Sequence, residues 1–313
     1  MNGYQALREG AAWLDLSGRG RIRVTGEDRV RLLHAMCTNH IQQLQDGEGC
    51  EAFFLNAQGR VLADALVLAR HDSLLIDTEP ETRHSLYAHL DKYIIADDVT
   101  LEDLTEETAE IGVQGPAAAE VMAKLGAPVP PAAYSHREWG ERLVVRFGAT
   151  GQPGFSIVVP AARRQALVGE VEAAGAAGAA AEEARVVRIE LGRPRYGEDI
   201  TDRFVPHETQ MLHAVHFNKG CYLGQEIVER IRSRGGVHRF LTRLDIEGDT
   251  PPQAGAAITA EGKAVGEITS AAWSPARGSV VALGYVRISE IPQGAPLDCG
   301  ERRVFVAGPA QAV

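Results

Sequence analysis

Lys219-Gly220-Cys221-Tyr222-Leu223-Gly224-Gln225-Glu226 gathers one thiol, one amine and one carboxylate around two glycines. From Glu226 onward, Ile227, Val228 and Ile231 repeat at helical spacing while Glu229, Arg230 and Arg232 take the other side, which predicts an amphipathic helix over 223–233. Cys221 then stands just ahead of the first turn. There the unpaired backbone N–H groups favour a thiolate, and the Lys219 ammonium two residues earlier adds to that preference. The competing reading is a buried cysteine acting as a small hydrophobe. Chemistry is favoured by the glycines, placed where backbone must turn or approach a ligand. It is also favoured by the clustering of Arg230, Arg232, Arg234, His238 and Arg239 in an otherwise acidic chain.

Lys219-Gly220-Cys221-Tyr222-x-Gly224-Gln225-Glu226-x-x-x-Arg230, followed by Arg234-Gly235 and Arg239, resembles the signature of the YgfZ proteins, folate-binding relatives of the glycine-cleavage T-protein that support iron-sulfur enzymes. Segments shared across the wider T-protein superfamily have counterparts in Cys37-Thr38-Asn39, Leu55-Asn56-x-x-Gly59-Arg60 with Asp64, Gly112-Val113-Gln114-Gly115-Pro116 and Arg188-Ile189-Glu190-Leu191-Gly192. The resemblance implies an α+β fold, a T-protein-like three-domain ring with a C-terminal β-barrel, whose central opening holds tetrahydrofolate or a one-carbon derivative. It implies Cys221 and Lys219 as the reactive pair, and folate contacts from Glu190, Asn39, Tyr196, Gln225, Glu226, Arg230 and Arg234. It further implies iron-sulfur client or assembly proteins as partners, tRNA-modifying enzymes among them, with a folate-dependent aminomethyltransferase or demethylase as the alternative.

Composition agrees with such a protein without singling it out. A 313-residue chain that is 45% hydrophobic can bury a sizeable core in two or three domains. No apolar run approaches the length of a membrane span, and the first residues lack a basic, apolar leader pattern, so the expectation is a cytoplasmic protein without membrane contact. Four scattered cysteines, 37, 50, 221 and 299, form neither a disulfide framework nor a Cys-x-x-Cys pair. A net charge of -10 argues against direct nucleic-acid binding by the whole surface.

Patterning predicts a strand at Arg21–Val24, a helix over 28–36, and a hairpin of strands 51–55 and 61–69 about the Asn56–Gly59 turn. A strand at 74–76 and a helix over 81–93 follow. After Gly115-Pro116 come a helix, a proline-rich loop and strands 142–147 and 155–159, while the alanine-glycine stretch 171–184 reads as a solvated helix and its loop. Short alternating runs after Arg239 predict an all-β module with strands at 242–246, 264–270, 280–288 and 304–306. The expected division is 1–115 with 185–240 as the folate-binding domain, 116–184 as a second subdomain and 241–313 as the barrel.

Glu190, in an apolar segment before Gly192, needs a partner. One reading is a salt bridge to Arg188, Arg193 or Arg195. The other, implied by the superfamily, is bidentate acceptance from the amidine-like edge of a pterin. His207, His213 and His216 lie close in sequence, but without a cysteine they read as ordinary polar residues and no metal site is expected. In the T-protein pattern, an acid-base aspartate is expected within the segment matching Asp77–His84, and His84 stands at that place here.

Overall fold

The computed structural model describes residues 1–291 and 295–310. Gly49–Leu55 and Val61–Ala69 form the predicted hairpin, with Phe53 opposite Asp64 and a register shift between Phe54 and Leu55. Its turn is held by the Asn56 side chain, whose Oδ1 accepts from the N–H groups of Gln58 at 2.9 Å and Arg60 at 3.0 Å. Gly59, at φ 71°, takes the left-handed position. Leu74–Thr78, Gly20–Thr25 and Thr100–Asp103 extend the hairpin into a five-stranded antiparallel sheet. Helices Arg29–Met36 and Arg83–Asp91 cover one face, burying Leu33, Met36, Leu86 and Leu90 on Ile22, Val24, Val67 and Ile76. On the other face, Leu66, Leu68 and Leu75 meet Leu143, Val145 and Phe147 of a second sheet.

That second sheet is built around Thr108–Gln114, flanked by Ala12–Asp15 and Gly154–Pro160 and continued by Arg142–Val145, His136–Trp139 and Ala177–Gly178. Its membership corrects the expected division. Ala12–Asp15 and Thr108–Gln114 pair with the second sheet, although chain order had grouped them with the first. Patterning predicts neither strand, and chain order does not show which sheet a segment joins. The alanine-glycine stretch is corrected too. Helix Arg164–Ala173 ends early, Ala177–Gly178 pairs in parallel with Ala12 and Trp13, and a new helix begins at Ala181. A Cβ on Gly178 would lie 3.3 Å from the Trp13 ring, so the indole lies against this short strand.

The C-terminal strands Phe240–Ile246, Ala257–Ala260, Lys263–Ser274, Ser279–Val286, Leu297–Cys299 and Arg302–Pro309 close into a barrel around Leu244, Ile258, Val265, Ile268, Ala282 and Val304. Two of the six strands, Ala257–Ala260 and Leu297–Cys299, escaped the sequence reading because each has only three or four residues. The expected barrel segment 241–313 ends on three residues outside the described set. Helix Ala181–Leu191 ends on Gly192 at φ 76° and packs Ile189 on Leu283 and Tyr285, joining the sheets to the barrel. The α+β reading with a terminal barrel therefore holds. No helix among the described residues is long and apolar enough to cross a membrane.

Candidate functional site

The two sheets and helix Ala181–Leu191 enclose a cavity of about 690 Å³. Phe147, Leu66, Pro80 and Ala149 give it apolar walls, and Arg19, Arg188, Arg193 and Arg195 give it cations. Those cations are already committed. Arg19 donates to Asp77 at 2.6 Å and pairs with Glu79; Arg195 reaches Glu79 at 2.9 Å and both oxygens of Glu81; Arg188 donates to Asp199 at 2.5 Å. Glu51 is buried and receives Tyr134 Oη at 2.9 Å, His213 Nε2 at 2.7 Å and the Arg193 guanidinium. Burial alone would raise the Glu51 carboxyl, but Arg193, His213 and Tyr134 outweigh it and hold it at about 2.

Asp64 is the exception among the buried carboxylates of this cavity. Only 8% exposed, on the strand beside Glu51, it has no hydrogen-bond or ion-pair partner for its carboxyl among the described residues. Burial, and then the charges of Glu79 and Glu51, raise it to about 7, against the opposing pull of Arg19 and Arg193. A carboxyl that exchanges its proton near neutrality inside a cavity is equipped for acid-base work. The sequence did carry a signal for it. Asp64 is the single charged residue in the nine-residue apolar strand Val61–Ala69. By contrast His84 is exposed on the helix Arg83–Asp91 and does not line the cavity, so it is not the acid-base substitute that its place in the chain suggested.

Glu190 is also placed differently from expectation. It faces away from the cavity, where Oε1 accepts from Tyr4 at 2.6 Å and Ser274 at 2.5 Å, and Oε2 from Arg8. Two positions along a helix turn a side chain by more than half a circle, so Arg188 looks into the cavity and Glu190 toward the N-terminal helix and the barrel. Its partner is a salt bridge, though to Arg8 rather than to Arg188, Arg193 or Arg195. Glu190→Gln is expected to lower stability by about 1.5–3 kcal/mol, the loss of a charged hydrogen bond, in urea unfolding. A weakened folate affinity with unchanged unfolding would restore the pterin role.

The motif around Cys221 is held from below. Lys219 is buried, and its Nζ donates to the carbonyls of His34 at 2.6 Å, Cys37 at 2.7 Å and Asn39 at 2.6 Å. All three N–H donors are thus committed to carbonyl oxygens, which makes Lys219 an anchor for the loop; burial lowers its pKa. The helix starts later than predicted, at Gln225, behind Gly224 at φ 83°. A Cβ on Gly224 would lie 2.7 Å from the Asn56 carbonyl, and one on Gly59 would strike Ile227 at 2.8 Å, so the hairpin tip and the motif are pressed together. Cys221 is exposed, three residues ahead of that cap, while Cys37 and Cys299 are buried and Cys50 half-buried. Burial also raises the Cys37, Cys50 and Cys299 thiols. Alkylation at neutral pH, resolved by peptide mass spectrometry, should label Cys221 at least about tenfold faster than the other three on access alone; comparable labelling of Cys37 would overturn this placement.

The other expected folate contacts lie outside the cavity lining. Asn39 donates to the carbonyls of Glu51 at 2.8 Å and His213 at 3.2 Å, tying one loop to the sheet. Tyr196 packs beside Phe53 and Val61. Gln225 accepts from the Tyr222 N–H at 3.2 Å, and Glu226, Arg230 and Arg234 are exposed. The three histidines close in sequence are separated: His213 on Glu51, His207 near Phe217, and His216 edge-to-face with His40, which in turn meets His34. Burial and the nearby Lys219 ammonium lower His34 to about 4.

The GCVT N-terminal domain family matches residues 2–219, and the glycine cleavage T-protein C-terminal barrel domain matches residues 239–306. The chain belongs to the glycine-cleavage T-protein superfamily. Among superfamily relatives, a chloroplastic protein of Arabidopsis thaliana provisionally named a transferase is 29% identical over 303 residues, covering 95% of this chain and 70% of that protein. The aminomethyltransferase of Rubrobacter xylanophilus is 28% identical, covering 90% of this chain and 78% of its own. The crystal structure of the glycine cleavage system aminomethyltransferase T from Bartonella henselae superposes with a TM-score of 0.87 at 23% identity, over 97% of this chain and 86% of that one, which establishes the shared T-protein fold.

Proposed function

We propose that this T-protein superfamily member holds a tetrahydrofolate, or a one-carbon derivative of it, in the cavity between the sheets. The proposed role is that of a cytoplasmic accessory factor in the assembly or repair of iron-sulfur proteins, tRNA-modifying enzymes among them. The observation that carries this reading is a half-open, ligand-sized cavity in a chain that also presents an exposed thiol on an anchored loop outside the cavity lining. About 690 Å³ falls in the usual range for small-molecule pockets. The residues also fit the ligand. Phe147 offers an aromatic face and Leu66 an aliphatic one to a pteridine, and Asp64, without a partner among the described residues, can accept from its N–H edge when ionised or donate when protonated. Bound there, the folate would supply one-carbon chemistry. The chain's own part is to exclude water with the apolar walls and to hold or release a proton at the Asp64 carboxyl.

A second reading, folate-dependent aminomethyl transfer or demethylation, is favoured by the near-neutral Asp64 and by relatives named aminomethyltransferases. Calorimetric titration with tetrahydrofolate, followed by an assay for aminomethyl transfer, separates the two. Binding without turnover, together with loss of iron-sulfur enzyme activity in cells carrying Cys221→Ser, is the expected result. Turnover that is indifferent to Cys221→Ser would select the transferase, and failure to bind folate would remove both readings.

A further inference from the structure

The sequence placed the arginines after the motif around a ligand cavity; the structure places them on an open surface. From Arg230 to Arg243 the chain carries five arginines, one histidine and no carboxylate, within a protein of net charge -10. Two of the five are spent internally. Arg239 donates to Glu208 at 2.8 Å, and Arg232 donates to the Phe217 carbonyl at 3.2 Å with its guanidinium 4.6 Å over the Phe217 ring. Arg230 and Arg234 are exposed, four positions apart on one side of the helix Gln225–Arg234, and make no ion pair among the described residues. Arg230 does not pair with Glu226, four positions earlier on the helix. Gly235 and Gly236 follow, exposed, at φ 71° and 119°, and a Cβ built on either would meet nothing within 4 Å. The cationic end of the helix therefore opens onto a low surface that no other part of the described chain crowds. Through the Arg232 bond to Phe217, this surface is continuous with the loop 217–224 that presents Cys221.

We infer that the end of this helix, Arg230 and Arg234 with the Gly235-Gly236 turn, is a docking surface for an acidic segment of a partner protein, which it brings to the rim of the Cys221 loop. Charge complementarity selects the occupant. Two exposed guanidiniums that make no ion pair among the described residues attract carboxylate side chains and match them in bidentate geometry, whereas the net negative charge of the chain disfavours such a segment elsewhere. A nucleic acid would meet the same two arginines but also the repulsion of the rest of the surface over a much longer footprint. The surface is separate from the folate cavity, so this inference stands or falls independently of the ligand proposed there.

The test uses the full chain without folate and a fluorescent glutamate-rich peptide of about twelve residues carrying a terminal pyridyl disulfide. Attack by the Cys221 sulfur breaks that disulfide, forms the mixed disulfide and releases pyridinethione, so capture is read by absorbance. The acidic peptide is expected to be captured at least about fivefold faster than a serine-rich one at low salt. In Arg230→Ser/Arg234→Ser that preference should disappear, while the serine-rich peptide reacts at its original rate, which shows the thiol and the fold intact. Equal capture of both peptides by the native chain, or a preference that survives the double substitution, would overturn the inference. So would an RNA oligonucleotide of equal charge that blocks capture at lower concentration than the unactivated acidic peptide.

Discussion

Asp64→Asn should make the protein more stable at alkaline pH and remove part of its pH dependence. The folded-state value of about 7 lies above the ordinary 3.8, so the native chain keeps a proton that the unfolded chain releases. Below about pH 4 both states are protonated and nothing is lost. As pH rises from about 4 to about 7 the unfolded state gains, and above pH 7 the native state stands lower by up to about 4 kcal/mol on this account. Asparagine cannot ionise, although its amide must still find partners, so a gain of about 1–4 kcal/mol is expected at pH 8 and little change at pH 4. Urea unfolding at both pH values checks this, and identical pH slopes for the two proteins would show that Asp64 ionises without penalty. The same substitution removes the carboxyl of the cavity that is raised to about 7. Any one-carbon turnover should fall by about 10²–10⁴-fold, the usual contribution of general acid-base catalysis. Glu51→Gln offers a partner measurement. With the neighbouring charge removed, the Asp64 midpoint should move down, and the pH at which stability stops falling with it.

Lys219→Met is expected to be the most destabilising single change in the motif. Methionine fills much of the same volume but leaves the carbonyls of His34, Cys37 and Asn39 buried without their donor. Loss of a buried ammonium bound on three sides typically costs about 3–5 kcal/mol. The denaturation midpoint should drop accordingly, and chymotryptic cleavage at Phe217 or Tyr222 should accelerate as the loop comes free. A variant of native stability with altered Cys221 chemistry would return Lys219 to the reactive role suggested by its proximity in sequence.

The contrast between Lys219 and Asp64 shows what the chain made legible. Lys219 is two residues from Cys221, and that spacing suggested a shared electrostatic site. The loop turns the ammonium inward while the thiol faces solvent, a fact of side-chain direction that linear spacing does not carry. Asp64 was visible as a charge within an apolar strand, yet its meaning depended on Glu51 and Glu79, which come from other strands or the end of one. The hairpin was readable because its turn chemistry is local to Asn56–Gly59. The strand Ala177–Gly178 was not, because alanine and glycine have little strand preference of their own and its existence rests on Ala12 and Trp13. Glu190 failed for a third reason. The segment was recognised, but which face of the helix it occupied was decided by contacts with Tyr4, Arg8 and Ser274, remote in sequence on either side.

That same parallel pairing bears on how the chain is made. Residues 12 and 13 leave the ribosome long before residues 177 and 178. At elongation rates of about 5–20 residues per second, the N-terminal strand waits roughly ten to thirty seconds for its edge partner, and Tyr4 of the helix Gly3–Glu9 waits longer still for the Ala276 N–H that its hydroxyl accepts. Throughout that interval one edge of the strand carrying Trp13 and Leu14 stays open, even after Thr108–Gln114 has paired with its other edge. Slowing translation between codons 15 and 177 should therefore raise the aggregated fraction more than the same delay placed within the barrel, whose strands all lie between residues 240 and 309.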